Sequence, residues 1–442
     1  MIRKTIPGIH HDLRRAFPGI YNFWRLNCNL TRKAVLILCA GFLLFSIWPA
    51  SAAEFSLPRM EMATRGWVDD GDFVLSSIIS ADLALTGGYK YAFILGFSLE
   101  APNIGKAFAD RNIGFEIPPS DPVLGEDYNE LVDQINDRLN NQAYLGFRIA
   151  KATIRDVFGL PLEMSYFIGA GDDFCSGDEY SSRFGLLPFG TEYKGFFYFP
   201  EGIGGHPGRR YNGIHSIRGT GFSLSLSKWE KIIPSFYLYQ DFPNSSDIIS
   251  FKTAFGGNLY SADLRVLFYH DWLRLEAFGG LSLNTNLDVS IRGGLMTHFS
   301  GHGVEFFAQI GIPGWTAGEK FSIDNMYFLI EPRLHQGIFH MYLTFFYHPV
   351  EYIHVITPDE KGKANINIKF LFGNLDSGLS GGIETGGELK FDGSKNFKFD
   401  ISPTATLISG GLRWDAKFRI KPLEYDNPKE MFDIFIGVRT AF

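Results

Sequence analysis

Residues Tyr260–Leu283 read YSADLRVLFYHDWLRLEAFGGLSL. In the first half, Tyr260, Ala262, Leu264, Val266 and Phe268 alternate with Ser261, Asp263 and Arg265. In the second, Leu273, Leu275, Ala277, Leu281 and Leu283 alternate with Arg274, Glu276, Phe278 and Ser282. Successive side chains of a strand point to opposite faces, so a period of two sorts each run into an apolar face and a largely polar one.

The same period dominates from about residue 72 to the end. Tyr89, Tyr91, Phe93, Leu95, Phe97 and Leu99 stand against Lys90, Ser98 and Glu100. Leu287, Val289, Ile291 and Leu295 stand against Asp288, Ser290 and Arg292; Val304, Phe306, Ala308, Ile310 and Ile312 against Glu305, Phe307 and Gln309. Ile366, Ile368, Phe370 and Phe372 oppose Asn365, Asn367 and Lys369, and Leu412, Trp414, Ala416, Phe418 and Ile420 oppose Arg413, Asp415, Lys417, Arg419 and Lys421.

A soluble sandwich also alternates, because each of its sheets has one wet face. Three features point to a membrane instead. Many runs are ten to thirteen residues long, the length of a tilted membrane strand rather than of an average soluble one. Aromatic residues close the apolar face at its ends, as Tyr260 and Phe268 do; the span between them is roughly 26 Å along the strand and about 20 Å after tilting. Glycine pairs such as Gly279-Gly280 and Gly293-Gly294 lie inside strands, where a curved wall needs little bulk. A mean hydropathy close to zero excludes a helical bundle in the membrane but not a barrel, half of whose strand residues are polar. The fold class expected is all-β: a transmembrane antiparallel β-barrel of 16–18 strands with one helical insert.

The ends of the chain fit that class. Ala34–Trp48 is apolar throughout, follows Arg32-Lys33 and is followed by Pro49 and Ala50-Ser51-Ala52. A basic flank, a short apolar core and a small-x-small site make a secretory signal, with cleavage after Ala52 or Ala53. Residues 1–53 are therefore leader and 54–442 the mature barrel. Residues 1–33 hold seven bases and one acid, so the mature part keeps 34 of the 41 bases and 47 of the 48 acids. That acidic balance argues against nucleic acid as a partner. Only Cys175 remains after cleavage, which rules out an internal disulfide.

The last segment, MFDIFIGVRTAF, puts Phe432, Ile434, Ile436, Val438 and terminal Phe442 on one face, with Asp433, Gly437 and Arg439 on the other. It resembles the final strand of bacterial outer-membrane β-barrel proteins. The resemblance implies an outer-membrane location in a double-membraned bacterium, lipid as surroundings, and recognition of Phe442 by the outer-membrane assembly machinery.

Long connections at 313–325, 348–362 and 422–429 alternate with short ones at 300–303, 336–337, 374–377 and 408–410, as outer loops alternate with periplasmic turns. The short 392–395 falls on the long side. Eighteen or nineteen strands can be counted, with Tyr193–Phe199 the doubtful one. Within residues 102–143, Tyr128, Leu131, Val132, Ile135 and Leu139 form a helical apolar stripe, fit either to plug the lumen or to pack at its rim. Residues 171–212 read as a long flexible loop.

Motifs for chemistry are weak. Gly378-Leu379-Ser380-Gly381-Gly382 fits G-x-S-x-G, but the strand pattern continues through it where an elbow needs a turn into a helix. His298, His302 and Glu305 have zinc-like spacing only on a helix, and here they span a hairpin turn. Asp172, Asp173, Asp178 and Glu179 are a wet acidic cluster or a calcium loop. No cofactor, metal site or enzyme activity is expected. What remains is the polar face: Arg265, Arg274, Glu276, Arg292, Glu305, Lys369, Glu384, Glu388, Asp400, Arg413, Asp415, Lys417, Arg419, Asp433 and Arg439. With lipid outside, these residues point inward, where they line a channel or pair to fill it. The expectation is a porin-like channel for small polar solutes. The alternatives are a transporter of hydrophobic molecules, similar to fatty-acid transporters, and a structural or adhesive barrel. N-terminal sequencing of membrane-purified protein should begin at Ala53 or Glu54; a chain still carrying Met1 overturns the leader.

Overall fold

The alternating runs become neighbouring strands of one sheet. A computed structural model describes residues 54–69, 72–101, 144–187, 189–192, 213–226, 229, 231–241, 259–284, 288–348, 363–390, 397–426 and 431–440. They contain β1 (Glu54–Asp69), β2 (Asp72–Gly87), β3 (Tyr91–Ala101), β4 (Tyr144–Arg155), β5 (Leu162–Phe174), β6 (His215–Leu226), β7 (Ile232–Asp241), β8 (Leu259–His270) and β9 (Leu273–Asn284). The second half is β10 (Val289–Gly301), β11 (Val304–Thr316), β12 (Tyr327–Gln336), β13 (Phe339–His348), β14 (Lys363–Gly373), β15 (Gly378–Lys390), β16 (Phe397–Ser409), β17 (Leu412–Ile420) and β18 (Phe432–Thr440). One α-helix, α1 (Glu179–Phe184), lies between β5 and β6.

All 18 strands belong to one sheet. Each pairs antiparallel with its neighbours in sequence, and β1 pairs with both β2 and β18, Thr64 standing between Ser77 and Ile436. The ladder thus returns to its start. The first strand begins at Glu54, earlier than the period-two pattern from residue 72. A register shift between Ser56 and Arg59, at Pro58, interrupts the alternation there. Eighteen is one of the two expected counts; Tyr193–Phe199 lies outside the described residues. So do the leader 1–53, the insert 102–143 with Tyr128, Leu131, Val132, Ile135 and Leu139, and Phe442.

The connections sort onto two rims. On one they are 88–90, 156–161, 227–231, 271–272, 302–303, 337–338, 374–377 and 410–411. The strand ends that flank 102–143, 175–214, 242–258, 349–362 and 391–396 all lie on the other.

Face assignment follows parity. In β8 the outward Leu264 is 53% exposed and the inward Arg265 beside it is fully buried. Ile310, Ile366, Trp414 and Ile436 stand exposed on outward positions, whereas Gln309, Asn365 and Phe435 next to them are buried. Leu264 lies mid-strand, so Leu264→Arg should cost on the order of 2–4 kcal/mol. Leu264→Phe should stay within about 0.5 kcal/mol. Urea unfolding of liposome-reconstituted protein measures both, and equal damage from the two contradicts the face assignment.

Candidate functional site: the inner face and the segment folded onto it

The chain after β5 turns inward instead of leaving the rim. The β5–β6 register shifts between Ala170 and Asp173, and a bulge of this kind bends a strand and re-aims its side chains. Cys175 then takes a left-handed backbone, and α1 ends at Gly185, also left-handed. Residues 175–192 lie against the inner face, and Gly213-Ile214 returns alongside them, Ile214 donating its N–H to Phe174 O at 2.9 Å. A Cβ on Gly294 would stand 2.8 Å from Ile214 Cδ1 and 2.7 Å from the Phe278 ring. Any side chain there would press on Ile214 and the Phe278 ring, which would have to shift.

Polar groups of the sheet secure the segment along its length. Cys175 N–H donates to Glu276 Oε1 (2.8 Å), and its carbonyl accepts from Gln309 Nε2. Tyr180 Oη donates to the Leu275 carbonyl at 2.5 Å. Arg183 pairs with Glu163 at 3.2 Å. Phe189 stacks on His298 with centroids 4.7 Å apart and lies under the Arg274 guanidinium. At the far end Glu331, fully buried, accepts from Thr191 Oγ1 (2.6 Å), Glu192 N–H (3.1 Å), Thr344 Oγ1 (2.7 Å) and Arg333. Arg333 also donates to the Gly190 carbonyl, and Glu192 reaches Lys369 on β14 at 3.2 Å. Contacts therefore run along the wall from β8 to β14. Around them Phe174, Tyr180, Tyr237, Leu267, Phe278, Met296, Phe307, Leu329 and Phe346 form one buried apolar cluster. Burial, and after it the Glu276 carboxylate, push the Cys175 thiol well above its ordinary range.

Beneath the segment lies a buried charge network. Arg265 meets Asp172 at 3.1 Å, Glu179 at 3.5 Å and Glu276 at 4.0 Å, and faces the Phe174 and Tyr237 rings. Arg292 binds Asp263 through Nε and Nη2, each at 2.7 Å, and donates to Ser282. Tyr239 Oη donates to Asp263 at 2.7 Å and accepts from Arg292. Charges taken this far from water persist only with such partners.

The rest of the inner wall is more open. Glu384 and Lys417 pair at 2.9 Å with 18% and 11% of their side chains exposed. Asp415 lies 3.0 Å from Arg413 and 3.9 Å from Arg439, with 33% of the Arg413 side chain exposed. Further up, Arg419 is fully buried between Asp400 (3.4 Å) and Asp433 (3.3 Å).

All fifteen charged residues named from the sequence stand on the inner face, but they divide into two groups. Lys369, Glu384, Arg413, Asp415, Lys417, Arg439 and Glu305 keep part of their surface open. Arg265, Glu276, Arg292, Glu388, Asp400, Arg419 and Asp433 are buried, so they hold the wall together rather than line an opening. Arg274 is occupied with His298 (2.7 Å) and the Phe189 ring. Residues 171–192, read from the sequence as part of a flexible loop, are the end of β5 and a packed inner segment, because their Phe, Tyr and Cys side chains bury against the sheet. Asp172 and Glu179 are neutralised by Arg265, not arranged around calcium. His302 sits exposed in the 302–303 turn, while His298 and Glu305 bond across strands at 3.3 Å. Ser380 lies near the start of β15, with no elbow. The inward apolar residues were missed. Their signal was Leu267 beside Phe268 and Phe346 beside Phe345 and Tyr347, apolar side chains on both faces at once.

Eighteen antiparallel strands with an apolar outer and a charged inner face have one familiar counterpart. The architecture is that of a porin-like β-barrel. No protein-family description matches the chain, and no curated protein does. Similar solved structures include the outer membrane protein OpdK of Pseudomonas aeruginosa, at 10% identity and a TM-score of 0.45 over 88% of this chain and 98% of that one. A mutant of the Rh. blastica porin gives 9% and 0.41 over 88% and 100%. OmpF of Salmonella typhi gives 10% and 0.41 over 88% and 97%. At such values neither solute nor mechanism transfers.

Glu331→Ala removes the acceptor that joins Thr191, Glu192, Arg333 and Thr344. It leaves Arg333 short of a buried partner, at a cost of about 3 kcal/mol. Modification of Cys175 by an aromatic disulfide reagent should then speed up roughly a hundredfold, since each 1.4 kcal/mol is about a factor of ten. An unchanged rate would mean that Glu331 does not hold the segment.

Proposed function

We propose that the chain, delivered by a cleaved leader, is a closed β-barrel of the bacterial outer membrane. It conducts small polar solutes past the segment 175–192. The observation that carries this reading is the reversal of faces: Leu264, Ile310, Trp414 and Ile436 look outward while Arg, Lys, Asp and Glu look inward. In water this arrangement exposes apolar surface and encloses charge. With hydrocarbon outside and water inside, both faces are satisfied. Pairing of β1 with β18 supports closure, since a lipid-exposed edge would leave amides unbonded. On this reading the short connections face the periplasm and the long ones the exterior.

The route runs along β15–β18, where charges of both signs lie open. Glu384 beside Lys417, and Asp415 between Arg413 and Arg439, set up a transverse field that favours polar solutes over apolar ones. The packed aromatic cluster on the other half leaves little reason to infer a hydrophobic cargo.

Purified protein in planar bilayers should conduct ions steadily. Replacing Arg413, Lys417 and Arg439 together by Gln should move the reversal potential toward cation selectivity. If neither the wild type nor Glu331→Ala conducts, the conduit reading fails and a structural or adhesive barrel remains.

A further inference from the structure

On the more open part of the inner wall, acids of the sheet itself answer several of the cations. Lys417 pairs with Glu384 at 2.9 Å, and Arg413 and Arg439 lie 3.0 and 3.9 Å from Asp415. Lys369 is answered differently. Its neighbour in the β14–β15 register is Glu384, but Glu384 Oε2 accepts from Lys417. The carboxylate that Lys369 holds at 3.2 Å belongs to Glu192, 177 residues away in sequence and outside the sheet. Among these residues the wall sets four cations against two acids, and the inward segment brings the third acid.

The contact is arranged so that the carboxylate can be exchanged. The Glu192 side chain is 39% exposed, so water and solutes reach it. The main chain around it is held separately: the Glu192 N–H donates to the buried Glu331 at 3.1 Å, and Thr191 Oγ1 donates to the same carboxylate at 2.6 Å. The Glu192 carboxylate can therefore swing away by side-chain rotation while the segment stays seated. Lys369 has support of its own. The Tyr342 ring, opposite it in the β13–β14 register, stands 5.6 Å from Nζ and attracts the ammonium through its π face. An ion pair open to water is weak, and a free anion of the same kind competes with it directly.

We propose that Lys369 is where this wall binds a solute carboxylate, and that Glu192 is a tethered carboxylate occupying the place until a solute displaces it. The inference rests on the conduit reading for its purpose, since it names carboxylates as the class of solute that the route favours. Replacing one carboxylate by another leaves the charge at Lys369 satisfied. A neutral solute would leave the ammonium without its anion, and a cation would be repelled by it.

The test uses acetate and the mature protein folded in deuterated detergent. Binding is read from broadening of the acetate methyl signal in proton NMR, and passage from current in planar bilayers. With the wild type both should saturate as acetate is raised. Glu192→Gln should lower the half-saturating concentration by about two- to fivefold, the range for an ion pair open to water. Glu192→Asp, one methylene short of Lys369, should act in the same direction. Lys369→Gln should abolish saturable binding and Lys369→Arg should keep it. Once Lys369 is Gln, Glu192→Gln should have no further effect. Glu319→Gln, which removes an exposed charge outside the wall, should change nothing. Heat-modified migration on gels reports whether each variant has folded. A wild type without saturable acetate binding overturns the site. So does a half-saturating concentration that neither Glu192 variant moves. Saturable binding without current in acetate or chloride overturns the conduit reading instead and leaves the site standing.

Discussion

A strand of a sheet must find a partner for the amides and carbonyls of both its edges, and sixteen of these strands do so simply by lying between their neighbours in sequence. Only β1 and β18 need a long-range solution, and they provide it to each other, Glu61 to Gly66 pairing with Arg439 to Ile434. Much else depends on that one junction. With the ladder returned to its start, the sheet has an inside, and the parity of each strand acquires an energetic meaning. Leu264 and Arg265 could not exchange places without putting a guanidinium on the apolar face.

The proposed closure also creates a difficulty, because a ring of this size cannot be filled by the side chains of its own wall. The chain meets it by folding residues 175–192 inward over β8–β14. The aromatic cluster supplies the apolar contact, while Glu331 and Arg265 satisfy the polar groups that contact would strand. The segment and the charges beneath it depend on each other. Without Asp172 and Glu179, Arg265 would lose its two nearest carboxylates and keep Glu276 at 4.0 Å. Without Arg265, Asp172 would keep Lys151 at 3.8 Å and Glu179 would keep Arg183 at 3.3 Å, and the segment would lose its link to β8.

How much of this was legible in the sequence follows from what a period of two encodes. It encodes the face, and the faces of β8, β9, β11, β14, β17 and β18 could be assigned residue by residue. It does not encode what packs on a face. Arg265 and Arg413 look alike in sequence, each in an alternating run, yet one is fully buried and the other a third open. GDDFCSGDEY looked like solvated loop because the partner of Asp172 is 93 residues away. The first strand was missed for a local reason, the register shift around Pro58, which scrambles the very pattern used to find strands.

The inward segment packs on β8–β14 and so divides the sheet into two kinds of strand. The strands under the segment form a dry flank, and β15–β18 a wetter one. Divergence should then run at two speeds within a single sheet. The strands under the segment answer to the packing rules of a protein interior, where a methyl group on Gly294 would press on Ile214 and Phe278. The strands beyond it are free to trade one charge for another and, on the proposed function, to retune what passes.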